Sequence, residues 1–371
     1  MDNKVSRPAL VDPQDLTAEW FTDALRYSGV LTDSWVSALT TEPIGTGQVA
    51  DTLLCTLDYP HPHSAGPRTL IAKVAAADPH SREAAVGQRL YEREVCFYQQ
   101  LQPEATITTP GHIYSDIDTE TGRFILLLED LSPASSVNQL SGFGVEHARR
   151  AMQQAAALHS MRWANPALAE VEWLNHTHTN GPAIALGGPS LAEAFCQRYA
   201  NELSSPEVSL IERLSVFAPY FWTTQRGPQT VIHGDFRPDN MLFDAKGGSL
   251  PLAVVDWQTT DCGNGLLDVA FLLGTALPPE IRKEHEKDLV HGYFAALKAA
   301  GVTEYDWAQC WDDYRYHAAY GVYFLTMAAM IVERTDRGDA MFLTMVRRAL
   351  AQINDLGTET LLQQASQSRE C

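Results

Sequence analysis

The 371-residue chain has no Cys-x-x-Cys pair among its six cysteines, Cys55, Cys96, Cys196, Cys262, Cys310 and Cys371. Scattered thiols of this kind form neither a zinc-ribbon ligand set nor a dense disulfide framework, so free thiols in a reducing cytoplasm are expected. Long apolar runs are missing as well. The longest, Val322 to Val332, falls short of the ~20 residues a membrane helix needs. The opening segment, Met1 to Pro8, leads into no apolar core of the kind a signal peptide carries. Positive charge is scarce: 27 Lys and Arg stand against 46 Asp and Glu, a net charge of −19. Duplex nucleic acid and anionic lipid both want a basic face, so neither is an expected partner. The acidity suits either a cationic ligand or plain solubility. Lysine is especially rare early on, and only Lys4 and Lys73 precede residue 131. No internal repeat or low-complexity tract is visible. What remains is an ordinary globular composition, 45% hydrophobic and 20% charged, long enough for two or three compact units.

Periodicity divides the chain in two. Residues 15–27 read as an amphipathic helix with Leu16, Trp20 and Ala24 on one face and Gly29 beyond its end. Short β-type runs follow at Val36–Ile44, Val49–Leu57 and Thr69–Ala75, then a helix over 82–101 and two more strands, around Ile113 and across Phe124–Glu129. Leu131–Ser136 reads as a linker. Beyond it the pattern is helical over 143–163, 190–203, 206–219, 264–276, 279–300, 304–334 and 337–356. The interval 231–256 is the exception, a loop with two strand-like pieces. The expected architecture is α+β: a small β-rich unit over 1–131 ahead of a larger helical unit over 132–371.

The chemistry concentrates in Val231-Ile232-His233-Gly234-Asp235-Phe236-Arg237-Pro238-Asp239-Asn240-Met241-Leu242-Phe243, an apolar pair, a polar loop and an apolar strand. A second apolar strand, Leu252-Ala253-Val254-Val255, then delivers Asp256 at its end. An Asp, an Asn five residues on and a second Asp at a strand end suit Mg-nucleotide chemistry. Asp235 can take a proton from an attacking hydroxyl, and Asn240 and Asp256 offer the oxygen ligands that Mg²⁺ prefers.

This pattern resembles the catalytic and metal-binding segments of the protein-kinase-like phosphotransferases. Their small-molecule branch carries HGD-x4-N where protein kinases carry HRD-x4-N. It includes aminoglycoside phosphotransferases, choline kinases and the ecdysteroid kinase-like proteins, and Asp256-Trp257-Gln258 looks most like the last group. The resemblance implies a bilobal kinase-like fold, ATP and Mg²⁺ as cofactors, and further site residues. It implies a strand lysine on the α- and β-phosphates. Lys73 fills that place, within an apolar strand where a charge needs a reason. It implies a carboxylate to hold that lysine. Glu94 shares a helix face with Phe97, Tyr98 and Leu101 and so points inward. A phosphate-covering loop would lie at Ile44-Gly45-Thr46-Gly47-Gln48, with Gly45, Thr46 and Gly47 bringing backbone N–H groups close to phosphate oxygens. The adenine edge would be read by backbone groups near Glu129 and Leu131. Arg237 stands where protein kinases carry a catalytic-loop lysine and either neutralises phosphoryl charge or makes a surface salt bridge. Asp268 is expected to support the catalytic loop from below, with His159 and His233 structural. His176 and His178 are placed in a Gly/Pro-rich loop without a metal role.

The acceptor is expected to be a small hydroxylated molecule. Asp268 follows Asp256 by only twelve residues, and no Ala-Pro-Glu follows, so there is no room for the segment on which protein kinases dock peptides. The aromatic residues Trp307, Trp311, Tyr314, Tyr316, Tyr320, Tyr323 and Phe324 are either core or the wall of a pocket for a bulky apolar alcohol. Net charge is −10 over residues 1–131 and −9 over 132–371. Acids are thus not concentrated where an aminoglycoside would want them. An antibiotic kinase and a nucleotide-binding pseudokinase are the alternatives, and oligomeric state is left open.

Overall fold

Residues 6–45, 49–61 and 66–367 are described in the structure, a computed structural model. The chain divides into two compact units. One takes the residues up to Pro103 together with Thr109–Ser132, and the other takes Glu104–Thr108 with everything from Pro133 onward.

The first unit is built on a five-stranded antiparallel sheet of β1 (Ala38–Pro43), β2 (Ala50–Asp58), β3 (Thr69–Ala75), β4 (His112–Asp118) and β5 (Arg123–Glu129), in the order β1-β2-β3-β5-β4. Helix α1 (Ala18–Tyr27) starts where Thr17 accepts a hydrogen bond from the Trp20 amide, and it buries Trp20, Phe21, Ala24 and Leu25 against Leu57, Leu70, Val74 and Tyr114. The lysine-bearing strand is therefore central. Lys73 pairs with Thr52 on one side and Leu126 on the other.

The helix expected over 82–101 is not continuous. It runs as α2 (Pro79–Gly87) and α3 (Leu90–Cys96), followed by a wide turn over Phe97–Leu101. The break falls at Arg89, which takes the left-handed conformation at φ 54° while its guanidinium binds Glu92 at 2.7 Å. Apolar spacing alone carries no mark of such an interruption, because both pieces present apolar residues to the same sheet.

The second unit is mainly helical. Its helices are α4 (Val145–Ser160), α5 (His176–Arg198), α6 (Ser205–Ser215), α7 (Ala218–Thr223), α8 (Leu266–Ala276), α9 (Pro279–Ala299), α10 (Trp307–His317), α11 (Ala319–Ile331), α12 (Asp336–Leu356) and α13 (Thr358–Gln367). Between α7 and α8 lie the short strands β7 (Thr230–Ile232), β8 (Met241–Ala245), β9 (Leu250–Val254) and β10 (Asp261–Gly263); β7 pairs with β10, and β8 and β9 form a second small sheet with β6 (Ser135–Ser136), which precedes α4.

Two expectations fail here. Residues 176–189, expected as a Gly/Pro loop, are the first half of α5, which carries Pro182 and Pro189 inside it. Proline costs a helix interior about 3 kcal/mol, so packing must override propensity. Asp261 caps the helix by accepting from the Thr177 amide and hydroxyl at 2.9 and 2.6 Å, and the face of Gly181, Ala185, Ala192 and Phe195 is buried. The single helix expected over 304–334 is two, interrupted at Ala318. There the His317 ring donates to the Asp313 carbonyl at 2.8 Å and intrudes on the helical ladder.

Candidate active site

The loop after β7 is fixed by side chains that hold its backbone one group at a time. Asp268, fully buried in the first turn of α8, accepts from the His233 amide at 2.7 Å and the Gly234 amide at 2.9 Å. Hydrogen bonds to an ionised acceptor contribute about 1.5–3 kcal/mol each. Asp268 is in turn held by His159, whose Nε2 lies 3.2 Å from Oδ2 and whose Nδ1 accepts from the Tyr293 hydroxyl at 2.8 Å. Burial pushes that phenol's pKa well above its usual value, so it remains a donor. Gly234 sits at φ +82°, and a Cβ there would come within 2.5 Å of the Thr259 carbonyl oxygen. The position thus requires glycine on both counts. On the acceptor side, Thr259 Oγ1 donates to the His233 carbonyl at 2.8 Å and the Tyr320 hydroxyl to the Gly234 carbonyl at 2.7 Å.

His233 is structural. Its Nδ1 accepts from the Asp235 amide at 3.3 Å, so Nε2 carries the proton and donates to the Val255 carbonyl at 3.0 Å. Both ring nitrogens are thus engaged by backbone, and neither is offered to a substrate.

Asp235 stands at the centre. Its Oδ2 accepts from Arg237 Nε and from Asn240 Nδ2, each at 3.0 Å, and its carbonyl accepts from the same Asn240 nitrogen at 2.8 Å. Its Oδ1 is buried and has no partner among the described residues. Arg237 also donates to Asp239 at 2.8 Å and meets Met341 Sδ at 3.3 Å. Burial works against its charge, but Asp235, Asp239 and Asp256 outweigh that cost and raise its pKa above the usual guanidinium value. Arg237 is 18% exposed and its fork is turned onto these acids, so it is not a surface salt bridge.

The β8–β9 hairpin brings the other two oxygen donors together. Asn240 directly precedes β8 and Val255-Asp256 directly follows β9. The pairing of Met241 with Val254 therefore places them side by side, closed by a Val255 amide to Asn240 carbonyl bond of 3.0 Å. Asp256 takes φ 68°, a conformation that costs a non-glycine residue about 1–3 kcal/mol and marks functional positions. The Asn240 amide nitrogen is engaged with Asp235, which leaves its oxygen as the end suited to a hard cation. Among the described residues no group of three His, Cys, Asp or Glu side chains is gathered for a metal. An Asn–Asp pair is nevertheless a fitting anchor for Mg²⁺, which fills its remaining positions with phosphate oxygens and water.

In the first unit, Lys73 Nζ lies 2.7 and 2.6 Å from the two carboxylate oxygens of Glu94, with the residues 9% and 1% exposed. Such a pair is costly to desolvate, and removing either partner would leave the other's charge buried and uncompensated. Tyr91 accepts from the Ala76 amide and donates to the Val49 carbonyl. It thereby ties β3 to the chain beside the expected phosphate loop. Gly45, at φ +76°, opens that loop. Thr46 and Gly47 lie outside the described residues. Glu129 ends β5 with its carboxylate against the Gly111 amide at 3.2 Å, and Leu131 is buried.

The aromatic residues of α10 and α11 are chiefly core. Tyr314 is fully buried with its hydroxyl on Glu286 at 2.9 Å, and Tyr316 is 1% exposed. Of the seven, Tyr323 also borders a small cavity enclosed by α5, α6, α7 and α11. Sequence reasoning missed Thr259, Tyr320 and Met341 as parts of the loop's surroundings. Nothing in their local sequence sets them apart, since their roles arise from distant chain segments meeting the loop.

Comparison with known proteins bears on the chain's family and fold. The chain is similar to mouse acyl-CoA dehydrogenase family member 10, 34% identical over 84 residues, and to human acyl-CoA dehydrogenase family member 11, 27% identical over 111 residues. These stretches are 22% and 28% of this chain and only 8% and 14% of those much longer proteins. Among solved structures, choline kinase from Cryptosporidium parvum superposes with a TM-score of 0.53 at 10% identity, covering 86% of this chain and 91% of that one. The GDP complex of an aminoglycoside 2′-phosphotransferase superposes at 0.51 and 14% identity, covering 84% and 92%. At such identities the likeness is one of fold, and it is the small antiparallel sheet with a helical remainder described above. The ecdysteroid kinase-like family model matches residues 53–302, a span that takes in Lys73, Glu94, the 233–240 loop, Asp256 and Asp268, and the chain belongs to the ecdysteroid kinase-like family.

Proposed function

We propose that the protein transfers the γ-phosphoryl group of ATP to a hydroxyl of a small molecule, with a bulky apolar alcohol as acceptor. The observation that carries the reading is Asp235: one carboxylate oxygen is tied down by Arg237 and Asn240, while the other is buried and unpartnered in an otherwise immobilised loop. That free oxygen orients the acceptor hydroxyl and takes its proton. Arg237 holds Asp235 in place, and its positive charge offsets charge developing on the phosphoryl oxygens. Lys73, fixed by Glu94, grips the nucleotide phosphates. Gly45, Thr46 and Gly47 cover them, and the backbone near Glu129 and Leu131 reads the base. Asn240 and Asp256 would hold Mg²⁺, which supplies charge neutralisation at the phosphates. Because phosphoryl transfer passes through a loose transition state, positioning is most of what these residues contribute.

The apolar acceptor is proposed from the even spread of acids along the chain, which gathers no carboxylates for a cationic ligand; the cavity under α5 has room for only about one water. Ile184, Ala192, Ile211, Trp222 and Val322 line it, and Trp222 packs on Tyr320, whose hydroxyl reaches the loop. A cytoplasmic setting fits the five described cysteines, all free thiols and four of them buried. Among the described residues no helix is long and apolar enough to cross a membrane.

Replacing Asp235 by Asn tests the reading. Phosphoryl transfer is expected to fall by about 10²–10⁴-fold, while nucleotide affinity by calorimetry stays within about twofold because the shape is kept. Turnover within a few-fold of the parent would refute the assignment of the base. ADP release should respond to steroid-sized alcohols and not to aminoglycosides; the reverse would replace the acceptor class.

A further inference from the structure

We infer that Tyr320 is a positioning residue for Asp235, acting through the Gly234 carbonyl and linking helix α11 to the catalytic loop. The inference rests on the proposed phosphotransfer, and its tests are arranged to fail separately from it.

The loop's backbone is held almost entirely by side chains that lie within the family-matched span 53–302. Asp268 takes the amides of His233 and Gly234, Thr259 the carbonyl of His233, the His233 ring the amide of Asp235, and Asn240 the carbonyl of Asp235. The Gly234 carbonyl lies on the peptide that joins Gly234 to Asp235, whose amide the His233 ring holds at 3.3 Å. It is held by Tyr320 at 2.7 Å, from outside that span. Glycine at φ +82° leaves the backbone beside Asp235 more orientations than another residue would, so this peptide depends on its hydrogen bonds for its position. A rotation there would swing the Asp235 carboxylate. The Tyr320 hydroxyl therefore adds a second, shorter hold on a peptide that the His233 ring already holds at its amide.

The ring of Tyr320 is itself held. It is 6% exposed and packs edge-on against Phe271 and Trp222 and stacked on Phe324. Trp222, from α7, and Phe271, from α8, thus fix the ring that sets the hydroxyl. A donor on a rigid aromatic stem suits this task, because only two side-chain torsions need to be fixed.

Tyr320→Phe keeps the ring and deletes the donor. The expected result is a kcat lowered at least tenfold with the nucleotide KM within twofold. The matched control is Tyr199→Phe, which deletes another buried phenol's bond, to Asp339 at 2.7 Å, away from the loop. It should lower the melting temperature about as much while leaving kcat within twofold. A kcat within twofold in Tyr320→Phe overturns the inference, and so does an equal kcat loss in Tyr199→Phe. Incorporating 3-fluorotyrosine at position 320 retains the fold by shape and alters only the donor strength. It should change kcat and not KM, and an unchanged kcat would likewise overturn the proposal. If Asp235→Asn abolishes transfer while Tyr320→Phe does not impair it, only this inference falls. If Asp235→Asn leaves transfer intact, the phosphotransfer reading falls first.

Discussion

Gly234 shows at the scale of one residue how the site limits its own sequence. Its φ of +82° costs an alanine about 1–2 kcal/mol, and the added methyl would also press within 2.5 Å of the Thr259 carbonyl. Gly29 provides the comparison, at φ +74° with nothing among the described residues within 4 Å of its would-be Cβ. Gly29→Ala should cost about 1 kcal/mol of stability and leave turnover unchanged. Gly234→Ala must move the Thr259 peptide as well, so it should cost clearly more and reduce kcat by more than tenfold. Thermal melts and ADP-release rates on the two variants check this; equal effects would mean that the Thr259 contact is relieved without disturbing Asp235. The placement of Asp235, Asn240 and Asp256 was readable because their spacing encodes one hairpin and one loop. Tyr320 was not readable as a loop anchor, because its partner lies 86 residues away and its sequence surroundings are those of any apolar helix.

At the scale of elements, strands read more truly than helices. The strand expected at Thr69–Ala75 is found at those bounds, since a run of apolar and β-branched residues between turns admits few other readings. Helix interruptions escaped notice where the cause was a single side chain, Arg89 in one case and His317 in the other. The prolines of α5 misled because the Asp261 cap and the buried face that overrule them lie elsewhere in the sequence. His317 also gives a pH expectation. Full burial depresses its pKa from the usual value near 6.5 to about 4, against the opposing pull of Asp313. The residues packed on it include Asp312, Asp313, Arg226, Phe221 and Tyr316. A base with a depressed folded-state pKa binds its proton more readily when unfolded, so stability is complete above about pH 6.5 and is lost as pH falls toward 4. The loss should approach about 3 kcal/mol, from a shift of about 2.5 units at 1.36 kcal/mol each. His317→Asn should have lower stability at neutral pH. Its stability should also fall less steeply between pH 6.5 and 4, by up to one proton's worth of slope in urea titrations. An unchanged slope would mean that His317 is reached by water in the native state.

The whole molecule carries a net charge of −19, and the numerous ion pairs do not remove it. Most of them are partly exposed, such as Arg149–Glu146 and Arg213–Glu359, and exposed pairs contribute about 0–1 kcal/mol each. The acids assigned to work, Glu94, Asp235, Asp256 and Asp268, account for only a small part of the excess. With −10 in residues 1–131 and −9 in 132–371, the surplus is spread along the chain, and its main physical consequence is self-repulsion in the compact state. The two effects respond to salt in opposite directions: screening weakens attractive pairs and relieves the general repulsion. The Debye length shortens from about 30 Å at 0.01 M to about 10 Å at 0.1 M. Long-range repulsion between charges across each unit is thus cut first, while contacts near 3 Å, such as Lys73–Glu94 in its buried site, are hardly touched. The melting temperature should therefore rise by about 2–4 °C, roughly 1 kcal/mol, between 0.01 and 0.3 M NaCl. A neutral osmolyte control at matched osmolality separates screening from preferential exclusion. A melting temperature that falls with salt would show that surface ion pairs outweigh the repulsion, and that the acidity is held in local networks instead of acting as a diffuse charge.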